Sequence, residues 1–227
     1  MEALKGAAVS AAIKEQVQNR LAELDGYIPT LAIIRVGEKP DDISYEKGAM
    51  KKMASFGLNV QSYTFPEDIS DALFKEEFAK INADKAIDGI LMLRPLPKHI
   101  CEKDIEKMID PAKDLDGISP ENIAKVFAGD STGFAPCTAE AVIEVLKAYN
   151  IPMQGKRVTV VGRSMVVGKP LSMLFVKENA TVTICHTRTA DLKAESAVLR
   201  FLWQQQDVPG CLTGHMPVRM LLLSMLE

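Results

Sequence analysis

Between Val158 and Pro170 the chain runs Val-Thr-Val-Val-Gly-Arg-Ser-Met-Val-Val-Gly-Lys-Pro. An apolar, β-branched run leads into Gly162, and a second glycine, Gly168, opens a helix-compatible segment. That is the order of a strand, a tight turn and a helix start. A turn with no side chain at Gly162 lets a pyrophosphate approach the backbone, and the amides of a helix N-terminus point at negative charge. Ser164 stands where the middle glycine of G-x-G-x-x-G would be, and Arg163 adds a cation. An ordinary strand-to-helix turn uses glycine in the same way, so spacing alone leaves both readings open. The next apolar run ends in Cys185-His186-Thr187-Arg188-Thr189. An NAD site ends this strand with an acid that holds the ribose hydroxyls, and none stands here. Arg163 and Arg188 can meet a 2′-phosphate, which favours NADP. The alternative for Arg188 is a solvated surface residue.

These residues need a scaffold, and the hydrophobic pattern supplies one. Val9 to Leu24 has apolar positions at helical spacing. Thr30–Gly37 reads as a buried strand with a glycine turn, Asp41–Phe56 as a helix stopped by Gly57, and Asn59–Phe65 as a strand. Ser70–Asn82 reads as a helix capped at Ser70, and Asp88–Leu93 as a strand broken by Pro95 and Pro97. Asp114 to Pro136 reads as a loop and candidate hinge. Thr138–Tyr149 is a helix, followed by strand Arg157–Val161, helix Lys169–Lys177 and strand Thr181–Cys185. Strands alternating with helices predict an α/β fold with parallel sheets.

A chain of 227 residues can bury one large core or two small ones. Its net charge of −3 speaks against a nucleic-acid or acidic-membrane surface. No long apolar run or signal peptide is visible, so no membrane association is expected. Cys101, Cys137, Cys185 and Cys211 lack C-x-x-C spacing, which argues for a reducing, cytoplasmic setting and against structural zinc. His99, His186 and His215 form no metal-ligand pattern.

Several local patterns occur in one order: Tyr45; Gly89-Ile90-Leu91 running into Arg94-Pro95-Leu96-Pro97-Lys98-His99-Ile100; Lys113-Asp114-Leu115-Asp116-Gly117; Pro136-Cys137-Thr138; Gly162-Arg163-Ser164 with Val167-Gly168-Lys169-Pro170; and Cys185-His186-Thr187. Together, from roughly Ala8 to Leu192, they resemble the bifunctional methylenetetrahydrofolate dehydrogenase/methenyltetrahydrofolate cyclohydrolase family. The resemblance implies two three-layer αβα domains. Residues 1–134 would be a folate-binding catalytic domain and 135–227 a Rossmann-type NADP domain. It implies a cytoplasmic homodimer acting on a tetrahydrofolate derivative, with the folate held against the nicotinamide in a cleft between the domains. Tyr45 matches the tyrosine lining the folate pocket, and Pro95 and Pro97 the loop shaping the cleft. Asp116 matches the aspartate that holds the pterin, a task suited to a carboxylate accepting paired N–H bonds. Asp114 reads as an Asx turn. Thr138 falls near the cofactor, with Gly162, Arg163, Ser164, Gly168, Thr187 and Arg188 as the cofactor set.

Two departures bear on mechanism. The family's catalytic lysine falls four residues after the tyrosine, and here that residue is Ala49. Its glutamine, two residues before the first proline of the loop, is Leu93, followed by Arg94. Hydride removal needs positioning more than a proton donor, whereas ring opening by water needs a proton-transfer group. The expectation is a dehydrogenase whose cyclohydrolase step is impaired. Lys52 shares a helix face with Ala49 at i, i+3 and is the candidate substitute, whereas Lys47 and Lys51 read as a solvated face. Arg94 is expected to bind a folate carboxylate or stabilise charge, since a guanidinium is a poor general base.

From about Ser196 the family pattern is lost. Phe201-Leu202-Trp203-Gln204-Gln205-Gln206-Asp207-Val208-Pro209-Gly210, back-translated and read two bases on, permits Leu-Val-Ala-Ala-Ala-Gly-Arg-Pro. Leu221–Glu227 under the same shift permits Ala-Val-Ile-Asp-Val-Gly. Both are segments the family would place here, so the expectation is a tail translated out of frame. The alternative is a divergent tail with an amphipathic helix from Met216 to Leu226. On the first reading the NADP domain is incomplete, its sheet keeps an unpaired edge, and the chain can be a catalytically dead folate binder. A different two-domain NADP dehydrogenase of shikimate type is disfavoured by Pro95-Leu96-Pro97 and Asp114–Gly117.

Overall fold

The computed structural model describes residue 4 and residues 6–197, 201–204 and 221–223. The chain divides into two compact units, Ser10–Asn122 and the residues from Ile123 on together with those up to Val9.

In the first unit, β1 (Thr30–Val36) lies between β2 (Asn59–Phe65) and β3 (Gly89–Met92), all parallel. The central strand, Thr-Leu-Ala-Ile-Ile-Arg-Val, is nearly continuous apolar sequence, as burial on both faces requires. This unit also holds α1 (Gly6–Ala22) from Ser10 on, α2 (Pro40–Phe56), α3 (Asp71–Ala83) and α4 (Glu102–Met108). Alternate residues of β1 serve opposite faces. Ala32, Ile34 and Val36 join Phe74, Phe78 and Ile81 of α3 and Ile105 of α4. Leu31 and Ile33 join Leu93, with Ala49 and Met53 of α2 packed against them. α2 starts with Pro40 in its first turn and ends at Gly57 in the left-handed conformation, φ 86°. Ser70 caps α3, its Oγ accepting from the Leu73 amide at 3.3 Å.

The stretch expected to be loop from Asp114 to Pro136 contains α5 (Pro120–Ala128). Ser119-Pro120-Glu121 is a helix-start signature, and Ser119 Oγ accepts from Asn122 N at 3.2 Å. α4 is likewise an addition, begun by the acidic residues Glu102 and Asp104 in its first turn.

The second unit contains α6 (Cys137–Ala148), β4 (Arg157–Val161), α7 (Gly168–Lys177), β5 (Thr181–Cys185), α8 (Leu192–Ala197), β6 (Phe201–Gln204) and β7 (Leu221–Leu223). Its sheet is parallel in the order β5-β4-β6-β7. Val142, Ile143 and Leu146 of α6 and Leu171, Leu174 and Phe175 of α7 pack on Val158 and Val160 of β4.

The expectation of an unpaired sheet edge is corrected as far as β4 goes, since that strand is paired on both sides, by β5 and β6. Val158 pairs with Phe201 and Val161 with Gln204, and β7 then continues the ladder, Phe201 beside Leu221. The ladder bonds are backbone bonds, so an apolar run can complete the sheet whatever its side chains. A helix through 216–226 is excluded at Leu221–Leu223, which is strand. The rest of the segment expected to be translated out of frame, beyond Ala197, Phe201–Gln204 and Leu221–Leu223, lies outside the described residues. Among the described residues no helix is long and apolar enough to cross a membrane.

Candidate functional site

In the first unit the site is built on the carboxyl end of β3. The strand stops at Met92, and the chain continues through Leu93 and Arg94 into a cis Arg94–Pro95 bond. Lys39 Nζ donates to the Pro95 carbonyl at 3.2 Å, and the Leu96 amide donates to Glu102 Oε2 at 2.8 Å. Pro95, Leu96, Pro97, Lys98 and His99 form one wall of a groove of about 730 Å³ completed by Lys39, Glu67 and Asp68.

Beside β3 runs the Lys113–Gly117 segment, where Ile90 N donates to Lys113 O at 2.7 Å. Asp114 is fully buried and accepts from Ile118 N at 3.0 Å, Ser119 N at 2.8 Å and Asn122 Nδ2 at 2.9 Å. It is an internal anchor of the turn, whereas Asp116 is part-exposed and accepts from Arg94 Nη2 at 3.1 Å. On its other side, Arg94 Nη1 stands 3.9 Å from Glu106 Oε1. Arg94 therefore faces two protein carboxylates, which weighs against the expectation that it receives a folate carboxylate. A cation already neutralised by two acids is a poor anion site.

Tyr45 is exposed on α2, and Glu46 beside it is buried. Glu46 accepts from Arg35 Nε at 2.6 Å and from Ser62 Oγ. Burial pushes the Glu46 carboxyl up, but the Ser62 hydroxyl and the Arg35 guanidinium outweigh it and leave the group below its ordinary value. This network ties α2 to β1 and β2 and so sets which residues of α2 face the sheet. One turn beyond Tyr45, Ala49 packs with Leu31, Ile33 and Leu93. The positions of the expected lysine and glutamine thus lie in one apolar cluster. Lys52 is engaged elsewhere: its Nζ donates to Ser10 Oγ of α1 at 2.5 Å and lies 5.4 Å from the Phe56 ring centroid. The structure gives it a tether between helices.

In the second unit, Gly162 follows β4 with φ 129°, a conformation that favours glycine. Its amide donates to Cys185 O at 2.8 Å, which closes the β4 turn onto the end of β5. Gly168 begins α7 against that turn: an added Cβ would lie 2.3 Å from Gly162 O. This is the close helix–strand packing that a dinucleotide fold asks of its last glycine. Ser164 Oγ accepts from Val167 N at 3.1 Å and Gly168 N at 3.3 Å, so it closes the turn and occupies two amides at the start of α7. Arg163 is exposed beside them. After β5, His186 N donates to Thr189 Oγ1 at 2.8 Å and Arg188 N to His186 Nδ1 at 3.1 Å, forming a compact turn with Thr187 and Arg188 exposed. Since Val161 pairs with Cys185, both turns leave the same end of neighbouring strands. Thr138, in the first turn of α6, is half-buried. No cluster of metal-ligating side chains occurs among the described residues.

Sequence reasoning missed the Arg94–Asp116 pair and the Arg35–Glu46–Ser62 network. A charge inside a strand at Arg35 and a glutamate on the inner face of α2 were the available signals.

Two family models match the chain. Residues 4–116 match the tetrahydrofolate dehydrogenase/cyclohydrolase catalytic domain, and residues 136–202 the NAD(P)-binding domain of that family. The second match runs beyond the point near residue 195 where the sequence pattern departs. The chain is 50% identical over 193 residues to the bifunctional protein FolD of Carboxydothermus hydrogenoformans, covering 84% of this chain and 67% of that protein. The crystal structure of the bifunctional FolD from Campylobacter jejuni is 34% identical with a TM-score of 0.85, over 89% of this chain and 72% of that one. The methylenetetrahydrofolate dehydrogenase-cyclohydrolase of Trypanosoma brucei, solved with NADP and an inhibitor, is 29% identical with a TM-score of 0.85, over 92% and 73%.

Proposed function

The chain belongs to the tetrahydrofolate dehydrogenase/cyclohydrolase family, and from that premise we propose that it oxidises 5,10-methylenetetrahydrofolate to 5,10-methenyltetrahydrofolate with NADP, while hydrolysing the product poorly. The residues present fit the cofactor. Gly168 permits the close approach of α7 to the Gly162 turn, and Arg163, Thr187 and Arg188 offer donors to phosphate groups at the carboxyl ends of β4 and β5. NADP, when bound, supplies the hydride acceptor. Asp116 takes the pterin donors, Tyr45 lines the folate site, and Pro95 and Pro97 shape its wall. We assign folate binding to the first 134 residues and NADP binding to those from 135 on.

Loss of hydride from the one-carbon bridge leaves a cation spread over two nitrogens and releases no proton. Positioning suffices for that step. Hydrolysis is different: water adds to the cationic carbon, a proton leaves, and a C–N bond opens to give 10-formyltetrahydrofolate. A group within hydrogen-bond reach must move that proton. The single observation that carries the split is the joint packing of Ala49 and Leu93 in one apolar cluster, where neither can do so.

The test follows NADPH formation and methenyl decay on the same preparation. NADPH should form with methenyltetrahydrofolate accumulating, and the Ala49→Lys/Leu93→Gln pair should speed its decay. Hydrolysis keeping pace with oxidation in the unaltered protein would overturn the split. Folate binding with no NADPH formation would favour the non-catalytic reading, to which the departing tail contributes. The out-of-frame origin of that tail is read from the gene. We further infer a cytoplasmic homodimer, which sedimentation and fractionation test.

A further inference from the structure

We propose that Arg94 is a positioning residue for folate: its guanidinium orients the Asp116 carboxylate to receive the pterin. This rests on the functional reading above and assigns Arg94 a role through a protein side chain.

The backbone brings the two residues together. Ile90 and Asp114 form a parallel bridge, with Leu115 N donating to Ile90 O at 3.4 Å, so the chain beyond Asp114 runs alongside the end of β3. Asp114 anchors this turn through buried bonds. Asp116 lacks that enclosure, and its side chain is 24% exposed. A carboxylate on a fixed backbone still rotates about its side-chain torsions, and productive binding of a planar heterocycle needs one orientation. Arg94 supplies the constraint. Its Nη2 holds Oδ2 at 3.1 Å, which leaves Oδ1 and the remaining lone pair of Oδ2 for the pterin N–H and amino donors. Glu106 Oε1 of α4 lies 3.9 Å from the other terminal nitrogen, Nη1.

Stability alone does not account for an arginine here. Arg94 Nε is enclosed and has no acceptor, and an unpaired buried donor is unfavourable. An aliphatic side chain would avoid that penalty. Local arrangements that cost stability collect at functional sites. The planar fork of Arg also fixes a carboxylate plane in a way that a lysine ammonium does not.

The experiment measures the affinity of the full chain for a folate analogue and for NADP by calorimetry in the unaltered protein, Arg94→Leu, Arg94→Lys, Asp116→Ala and Arg94→Leu/Asp116→Ala. Folate should bind roughly tenfold more weakly to Arg94→Leu, the loss expected of one charge-assisted bond, with Arg94→Lys between. NADP affinity should not change, and in the Asp116→Ala background the Arg94→Leu substitution should add nothing further. Unchanged folate affinity in Arg94→Leu overturns the inference, as does full additivity with Asp116→Ala. A fall in folate and NADP affinity together also overturns it, because that marks a general structural role. If the unaltered chain binds no folate analogue, the functional reading falls first and takes the inference with it.

Discussion

Gly168→Ala sets two effects of opposite sign against each other. Gly168 lies in the first turn of α7 and is absent from the positive-φ glycines. Alanine is the better helix former, by about 1 kcal/mol. Against this, the new Cβ would lie 2.3 Å from Gly162 O, 2.6 Å from Gly162 C and 2.9 Å from Arg163 N. All three are backbone atoms, so no side chain can rotate away. Restoring ordinary contact needs a shift on the order of 1 Å between α7 and the β4 turn. In a packed interior such overfilling costs typically 1–3 kcal/mol. Three backbone contacts under 3 Å put the cost in the upper part of that range, about 2–3 kcal/mol, so the steric term wins by on the order of 1–2 kcal/mol. In a unit of this size that lowers the melting temperature by roughly 5–15 °C. The displaced turn carries Arg163, so NADP affinity should fall on the order of tenfold or more. Folate-analogue binding, assigned to the other unit, should not move. Thermal unfolding and paired ligand titrations give all three readouts. A melting temperature that holds or rises, with unchanged NADP affinity, would falsify the close-packing argument.

Asp114→Ala strips the acceptor from Ile118 N, Ser119 N and Asn122 Nδ2, and urea unfolding should show a loss of about 2–4 kcal/mol. Glu46 has a depressed folded pKa, so its contribution is present above its unfolded value of about 4.3 and lost as pH falls below it. Stability of the unaltered protein should therefore drop more steeply from about pH 5 downward than that of Glu46→Gln, and parallel pH profiles would contradict this. Arg188→Ala should raise the KM for NADP about tenfold and leave that for NAD unchanged, because only the former carries the 2′-phosphate; equal effects on both would remove Arg188 from phosphate recognition.

Much of the framework was legible because strands and turns announce themselves locally. Asn59–Phe65, Arg157–Val161 and Thr181–Cys185 have the bounds read from the sequence, and β1 stops one residue short of the Thr30–Gly37 read for it. The short helices α4 and α5 were less so. Seven and nine residues give too little periodicity to separate them from loop. The strands after residue 200 were hidden for another reason. Their side chains depart from the family pattern, while the backbone edge of β4 accepts an apolar run regardless.

The order of chemical groups along the chain was settled by sequence alone: a glycine turn with Arg163, an acid-free strand end at Thr187, two aspartates before Gly117, and apolar residues at 49 and 93. Their partners were decided only by the tertiary structure. Arg94 meets Asp116 across 22 residues, Ala49 joins Leu93 in one cluster, and Lys52 turns to Ser10 on α1. The physical reason is range. Turn chemistry and hydrophobic period act over a few residues, whereas these contacts depend on strand register and helix rotation, which the packing of the whole unit sets.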